Sequence, residues 1–247
     1  MVDYIINNEN NPKSNIEAIK WFFDQCHVRN INYLVLRNAS KLPIIEGHDI
    51  DIFIDKKDLN TLSLLIKEMA SNFKLQIYKH IPMPYANRYY LKGLNNEKDI
   101  ILDFHVDEQW MGAVFLNIKN ILPYREKKYS VFSAHDVHAS LAPYIVTLLS
   151  TGLSDNKYTP CILKACSDFP NLFHETCITI FGATFGELFY EIIKQSETKR
   201  LEPLVFKIKL ILFYRSFIKE PFATCKRFLI IIMYKIWFGR ILRIYPP

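Results

Sequence analysis

Half of the 247 residues are hydrophobic and only seven are glycine, which is enough apolar material for one large domain or a domain with an appendage. That composition excludes collagen-like, low-complexity and disordered classes. The formal charge of +6 is unevenly placed: residues 203–247 hold nine Lys/Arg against one acid, Glu220, so this tail is +8 and the preceding 202 residues are −2. The five cysteines (Cys26, Cys161, Cys166, Cys177 and Cys225) are odd in number and form no C-x-x-C pair. They read as small buried hydrophobes in a reducing cytoplasm. The opening MVDYIINNENNPKSN has neither a basic nor an apolar leader stretch, so no secretory signal is expected.

Ser14-Asn15-Ile16-Glu17 reads as a capping box, and the apolar period after it predicts a helix to about Val28. Tyr33 to Leu36 reads as a buried strand, and Arg37 to His48 as a loop or short helical turn. Asp49 to Ile54 is a second strand, followed by a helix from Leu59 to Phe73 with Leu62, Leu65, Ile66 and Met69 at helical spacing. Leu75–Tyr78, Arg88–Leu91 and Ile100–Val106 read as three further strands. The order predicts an α+β fold, a mixed sheet with helices against it. From Ser133-Ala134-His135-Asp136, read as a second capping box, helical periodicity takes over: a helix to about Leu149, then 159–167, 171–194 with a break near Gly182, 203–218 and 222–244. The expected organisation is a sheet domain over 1–125, a helical domain over 126–202 and a basic apolar helical tail over 203–247.

Two stretches carry chemistry. In EGHDIDIFID, strand alternation places Asp49, Asp51 and Asp55 on one face and Ile50, Ile52 and Ile54 on the other. In KDIILDFHVDEQW, Asp103, His105 and Asp107 share a face opposite Leu102, Phe104 and Val106. Pairing the two strands would gather Asp49, Asp51 and Asp103, and converging carboxylates repel unless a positive charge lies between them. An oxygen-liganded Mg²⁺, as one or two ions, suits such a group. The plainer alternative is a solvated strand face. Arg37 before the pair, the Gly47-His48 leading into it and the second acidic strand favour the site. His48 points away from Asp49 if the strand has begun, and Asp55 reads as the N-cap of the next helix.

Arg88 shares a strand with Tyr90 and Lys92; it is a candidate phosphate ligand or an ordinary exposed charge. Lys41, in the loop before the aspartates, is likewise a phosphate neutraliser or a solvated charge. His105 is a partner or acid–base group for Asp103, or a packed histidine. His135, Asp136 and His138 suggest a metal cluster, but the helix cap accounts for Asp136 and a third ligand is not evident. P-loop, G-x-S-x-G and H-E-x-x-H signatures are lacking.

Over about residues 15–110 these features resemble the nucleotidyltransferase superfamily, with its polymerase-beta-like fold. Leu36-Arg37-Asn38 stands where that family has a strand ending in h-G-[G/S], Asp49-Ile50-Asp51-Ile52 where it has D-h-[D/E]-h, and Asp103 in ILDFH at its third carboxylate. The pattern is nearest to an uncharacterised branch associated with bacterial surface-polysaccharide gene clusters. The resemblance implies a nucleotidyltransferase-like mixed β-sheet with flanking helices, followed by an all-helical C-terminal region. It also implies a Mg²⁺-dependent transferase that moves a nucleotidyl or phosphoryl-linked group from a nucleotide or nucleotide-linked donor to a hydroxyl of a glycan or small molecule. Asp49 and Asp51 would bind the metals, and Asp103 would share one and help activate the acceptor hydroxyl. Arg37-Asn38 departs from the Gly-Ser that lets backbone amides approach a triphosphate. Arg37 then becomes a candidate to grip phosphate by its guanidinium fork, with Asn38 beside it. A diphosphate-linked donor or transfer of a phospho-alcohol also fits. The reading from another class is a non-catalytic binding module that docks a membrane or partner.

The tail, KRFLIIIMYKIWFGRILRIYPP, has its longest uncharged run at Phe228–Tyr234, far short of the ~20 residues of a spanning helix. Lys226, Arg227, Lys235, Arg240 and Arg243 bracket apolar runs, a pattern suited to snorkelling at a membrane surface with Trp237 and Tyr245 at headgroup level. A core helix with solvated ends, or a subunit-docking surface, is the alternative. Nucleic acid is disfavoured because the basic segment is too apolar to track phosphates. The expected location is the cytoplasm, with the tail on the inner face of the cytoplasmic membrane in the membrane reading.

Overall fold

The computed structural model describes residues 14–44, 49–82, 86–93, 98–128 and 130–239, with side chains followed to Tyr234. The parts of the loop before Asp49 that hold Gly47 and His48, and the side chains of Lys235, Trp237, Arg240, Arg243 and Tyr245, lie outside the described residues.

Helix α1 (Asn15–Val28) starts at the expected capping box: Ser14 Oγ accepts from the Glu17 amide and the Glu17 carboxylate accepts from the Ser14 amide. Strands β1 (Tyr33–Val35) and β2 (Ile50–Ile54) flank the loop that carries Arg37. Asp55 accepts from the Lys57 amide and caps a short 3-10 turn that runs into α2 (Leu59–Asn72). Then come β3 (Ile77–Pro82), β4 (Ala86–Leu91) and β5 (Ile100–His105). The periods of two and of 3.6 residues read from the sequence therefore fall on real elements.

Four strands have no counterpart in that reading. β6 (Asp107–Trp110) and β7 (Ala113–Asn117) form a separate hairpin. After the single helical turn α3 (Ile118–Ile121), β8 (Glu126–Lys128) and β9 (Val131–Ser133) return to the main sheet, whose order is β3-β4-β5-β2-β1-β9-β8. The β2–β5 and β1–β9 pairings are parallel and the rest antiparallel. The sheet thus runs past the boundary expected at residue 125. Ser133 lies in β9, so the second capping box is also corrected: α4 (Asp136–Thr151) is capped by His135, whose Nδ1 accepts from the Val137 amide. The helices α5 (Thr159–Asp168), α6 (Pro170–Phe181), α7 (Ala183–Lys194), α8 (Val205–Lys219) and α9 (Pro221–Gly239) complete the chain. No described helix is long and apolar enough to cross a membrane.

Alternation along the strands builds two cores. Ile50, Ile52 and Ile54 join Tyr33, Val35, Leu102 and Phe104 in packing against α1 and α2. Leu34 and Phe53 point the other way, into a core made with the β6–β7 hairpin and helices α4 to α8. Each fully buried Ile, Leu or Phe contributes roughly 1.5–3 kcal/mol by leaving water. Asp51 has the parity of Phe53, so it faces the helical layer. Every residue of β2 is buried, which rules out the solvated strand face as the account of Asp51; Asp49, just before the strand, is partly exposed. Val205, Ile208 and Leu212 of α8 belong to this second core, so the first part of the basic tail is integral to the fold.

Candidate functional site

The parallel pairing of β2 with β5 sets Asp51 directly opposite Asp103, and the antiparallel pairing of β4 with β5 sets Arg88 opposite Asp103. Register alone therefore brings two carboxylates and a guanidinium together under the helical layer. Asp51 is 7% exposed and Asp103 1%. Two buried carboxylates this close need compensation, and two arginines supply it. Arg88 donates from Nε to Asp103 Oδ2 at 2.9 Å and also pairs through Nη2 with the same oxygen. Arg37, just beyond β1, donates from Nε to Asp51 Oδ2 at 2.9 Å and through Nη2 to the same atom. Its Nη1 donates to the Tyr158 hydroxyl at 2.5 Å.

Each aspartate thus gives Oδ2 to an arginine and keeps Oδ1. Asp103 Oδ1 is buried without a hydrogen-bond partner. His105 Nε2 stands 3.6 Å from Asp103 Oδ1 and 4.0 Å from Asp51 Oδ1, ion-pair rather than hydrogen-bond separations. Among the described residues, Asp51, Asp103 and His105 are the group whose ligand atoms lie close enough, within 4.8 Å of one another, to hold one metal ion. The orphaned oxygen fits a cation: it is the kind of buried acceptor that otherwise costs free energy.

Asp49 is not in that group. Its carboxylate stands at the mouth, 37% exposed and 3.5 Å from Arg88 Nη2. The expected trio Asp49, Asp51 and Asp103 is therefore replaced at the centre by Asp51, Asp103 and His105. Arg88 is not an ordinary exposed charge but the counter-ion of the most deeply buried acid. Asn38 takes a left-handed backbone (φ 59°), a conformation open to asparagine as well as glycine.

The environment drives the acids apart. Burial pushes the Asp51 carboxyl up, against the pull of Arg37. Asp103 is also raised by burial, but His105 and Arg88 overcome this and hold it below the usual carboxylate range. Burial opposes the charge on His105, yet Asp103, Glu108 and Asp51 together raise it. Glu108, in β6, is 9% exposed, and burial pushes its carboxyl up to about 7. Sequence alternation placed Asp107 on the acidic face, and this is corrected. β5 ends at His105 and the chain bends before β6, so the parity resets and Glu108 lies close enough to feel His105 and Asp51. Asp107 instead lines a separate cleft with Arg227 and Glu220.

A cavity of about 700 Å³ opens over Asp49 and Asp51, between the sheet and helices α4 and α5; Asp103 and His105 are not part of its described lining. Arg37, Asn38, Asp49 and Asp51 form its floor, and Lys157, Tyr158, Cys161, Lys164 and Phe169 are among the residues that face them. Tyr158 is fixed by an Asx turn, its amide donating to Asn156 Oδ1, and Lys157 Nζ lies 5.0 Å above its ring. Lys164 is paired with Asp168. Lys41 is exposed on the 3-10 turn and is not part of the described cavity lining. Tyr158, Lys157 and Cys161 come from the helical half and carry no local sequence signature. Cys161 and Cys225 are exposed, so only Cys26, Cys166 and Cys177 are the buried cysteines expected for all five. His138 is buried with burial pushing it down to about 4, a neutral core histidine, in line with setting aside the His135–His138 cluster.

Compared with known proteins, the chain matches no family model, no curated protein and no solved structure.

Proposed function

We propose that the chain is a Mg²⁺-dependent transferase of nucleotidyltransferase fold, moving a nucleotidyl or other phosphoryl-linked group to a hydroxyl, with a surface glycan as one acceptor class. The observation that carries this reading is the Asp51–Asp103 register, which leaves two Oδ1 atoms side by side with one of them unpartnered. Asp51 and Asp103 would hold the ion, with Asp49 at the mouth available to it. When bound, the ion would neutralise charge on the phosphoryl oxygens during in-line displacement. The chain's own residues do the rest by position and charge. Arg37 and Lys157 present cations to an anionic donor in a cavity of about 700 Å³, within the size range of small-ligand sites. Asp103, kept anionic by Arg88 and His105, lies behind Asp51 and would act through the ion, while Asp49 and Asp51 are the carboxylates that reach the cavity floor. His105, with Nε2 3.6 Å from Asp103 Oδ1, would complete the ion's ligand group and supports the anionic Asp103.

One observation favours a second reading, a non-catalytic binding module: Arg37 and Arg88 already balance Asp51 and Asp103. Calorimetric and thermal-shift titration with Mg²⁺ or Mn²⁺, with and without nucleoside triphosphates and nucleotide sugars, separates the two. The transferase reading expects metal-dependent ligand binding that Asp49→Asn/Asp51→Asn abolishes. Ligand binding indifferent to metal supports the module, and no metal-dependent ligand at all overturns the transferase.

A further inference from the structure

Helix α8 is apolar on two sides. Val205, Ile208, Leu212 and Ser216 are buried in the helical core at i, i+3, i+7 and i+11. On the opposite side Phe206, Leu210, Tyr214, Phe217 and Ile218 stand exposed at i, i+4, i+8, i+11 and i+12. A shallow apolar groove of about 530 Å³ runs among them, edged by Lys207. The pattern repeats in α9, where Thr224 and Ile231 are buried while Phe222 (91% exposed), Leu229 and Met233 face out. Isolated exposed hydrophobics need no explanation, but two successive helices with outward apolar stripes do.

Charge decides among the occupants. The segment from residue 203 onward holds nine cations and one acid. Arg215 and Arg227 turn inward, to the Thr179 carbonyl and to Gly112 and Glu220, and are used by the fold. Lys207 and Lys226 remain exposed beside the stripes, and Lys219 is exposed at the end of α8, toward the cleft of Asp107 and Glu220. A second copy on this face would set a +8 segment against its like. A protein partner is disfavoured by the lysines, which protein interfaces deplete in favour of arginine. Apolar side chains flanked by lysine match an anionic bilayer, where the stems lie along the acyl boundary and the ammonium groups reach the headgroups. We propose that the outward face of α8 and α9 docks on the surface of an anionic membrane, lying on it without crossing it. This inference stands independently of the transferase reading.

The test is co-sedimentation of the full chain with phosphatidylcholine vesicles, with and without about 30 mol% phosphatidylglycerol. The wild type binds the anionic vesicles and is released as salt is raised. Leu210→Gln/Tyr214→Gln/Phe222→Gln, at exposed positions whose loss leaves the circular dichroism unchanged, lowers binding at least about tenfold. Lys207→Gln/Lys219→Gln/Lys226→Gln lowers it on anionic vesicles and flattens the salt dependence. No wild-type binding to anionic vesicles at low salt, or binding indifferent to both triple changes, overturns the proposal. So does an oligomer in light scattering that the apolar triple change dissociates, which would assign the face to a second copy.

Discussion

Replacing Glu108 with Gln should make the protein more stable in alkali and leave it nearly unchanged in acid. Burial raises the Glu108 carboxyl from 4.5 to about 7. The folded state therefore binds the Glu108 proton more tightly than the unfolded state does. Its contribution is fully present below pH 4.5 and is lost as pH rises through 7. A difference of this size, at 1.36 kcal/mol per unit, amounts to roughly 3 kcal/mol. Glutamine keeps the shape and never ionises, so Glu108→Gln should match wild type at pH 4.5 and exceed it by up to about 3 kcal/mol at pH 8. The assay is urea unfolding of both proteins between pH 4.5 and 8, with chelator present so that no bound cation offsets the acids. A wild-type-to-variant difference that stays constant across that range refutes the reasoning, because Glu108 would then carry the same charge folded and unfolded throughout.

Arg88→Ala strands Asp103, whose side chain is 2% exposed, and should cost about 3–5 kcal/mol; added Mg²⁺ should restore more stability to this variant than to wild type, read by thermal shift. Gly112 has φ +84° and a Cβ there would lie 2.6 Å from the Phe228 amide nitrogen, so Gly112→Ala should loosen α9 from the β6–β7 hairpin and expose it to limited proteolysis. Thiol labelling of the native protein should modify Cys161 and Cys225 and spare Cys26, Cys166 and Cys177, and any ligand that fills the cavity should protect Cys161 alone.

What the sequence discloses depends on how locally each feature is encoded. The α1 capping box, the isoleucine alternation of β2 and the LDFH of β5 are local patterns, and their register followed once the strands were paired. DEQW and EKK carry no apolar alternation, and β8 and β9 are three residues each; tertiary pairing, not propensity, makes them strands. Glu108 is not legible in the sequence because a single bend at Val106 resets the parity on which face assignment relies. Tyr158 lies 121 positions from Arg37, a distance across which one sequence offers no signal.

The two parallel pairings at the sheet's centre have a consequence for how the molecule assembles. β3–β4, β6–β7 and β8–β9 are neighbours in the chain and can close quickly, whereas Asp51 meets Asp103 across 52 positions and Val35 meets Ser133 across 98. Loop-closure entropy is spent before such contacts return anything, so the local hairpins precede the centre. The acidic cluster is thus a late product of folding. A half-folded chain therefore lacks the Asp51–Asp103 pair, whereas Arg88 reaches Asp103 with the β4–β5 hairpin, before Asp51 arrives across the parallel pairing.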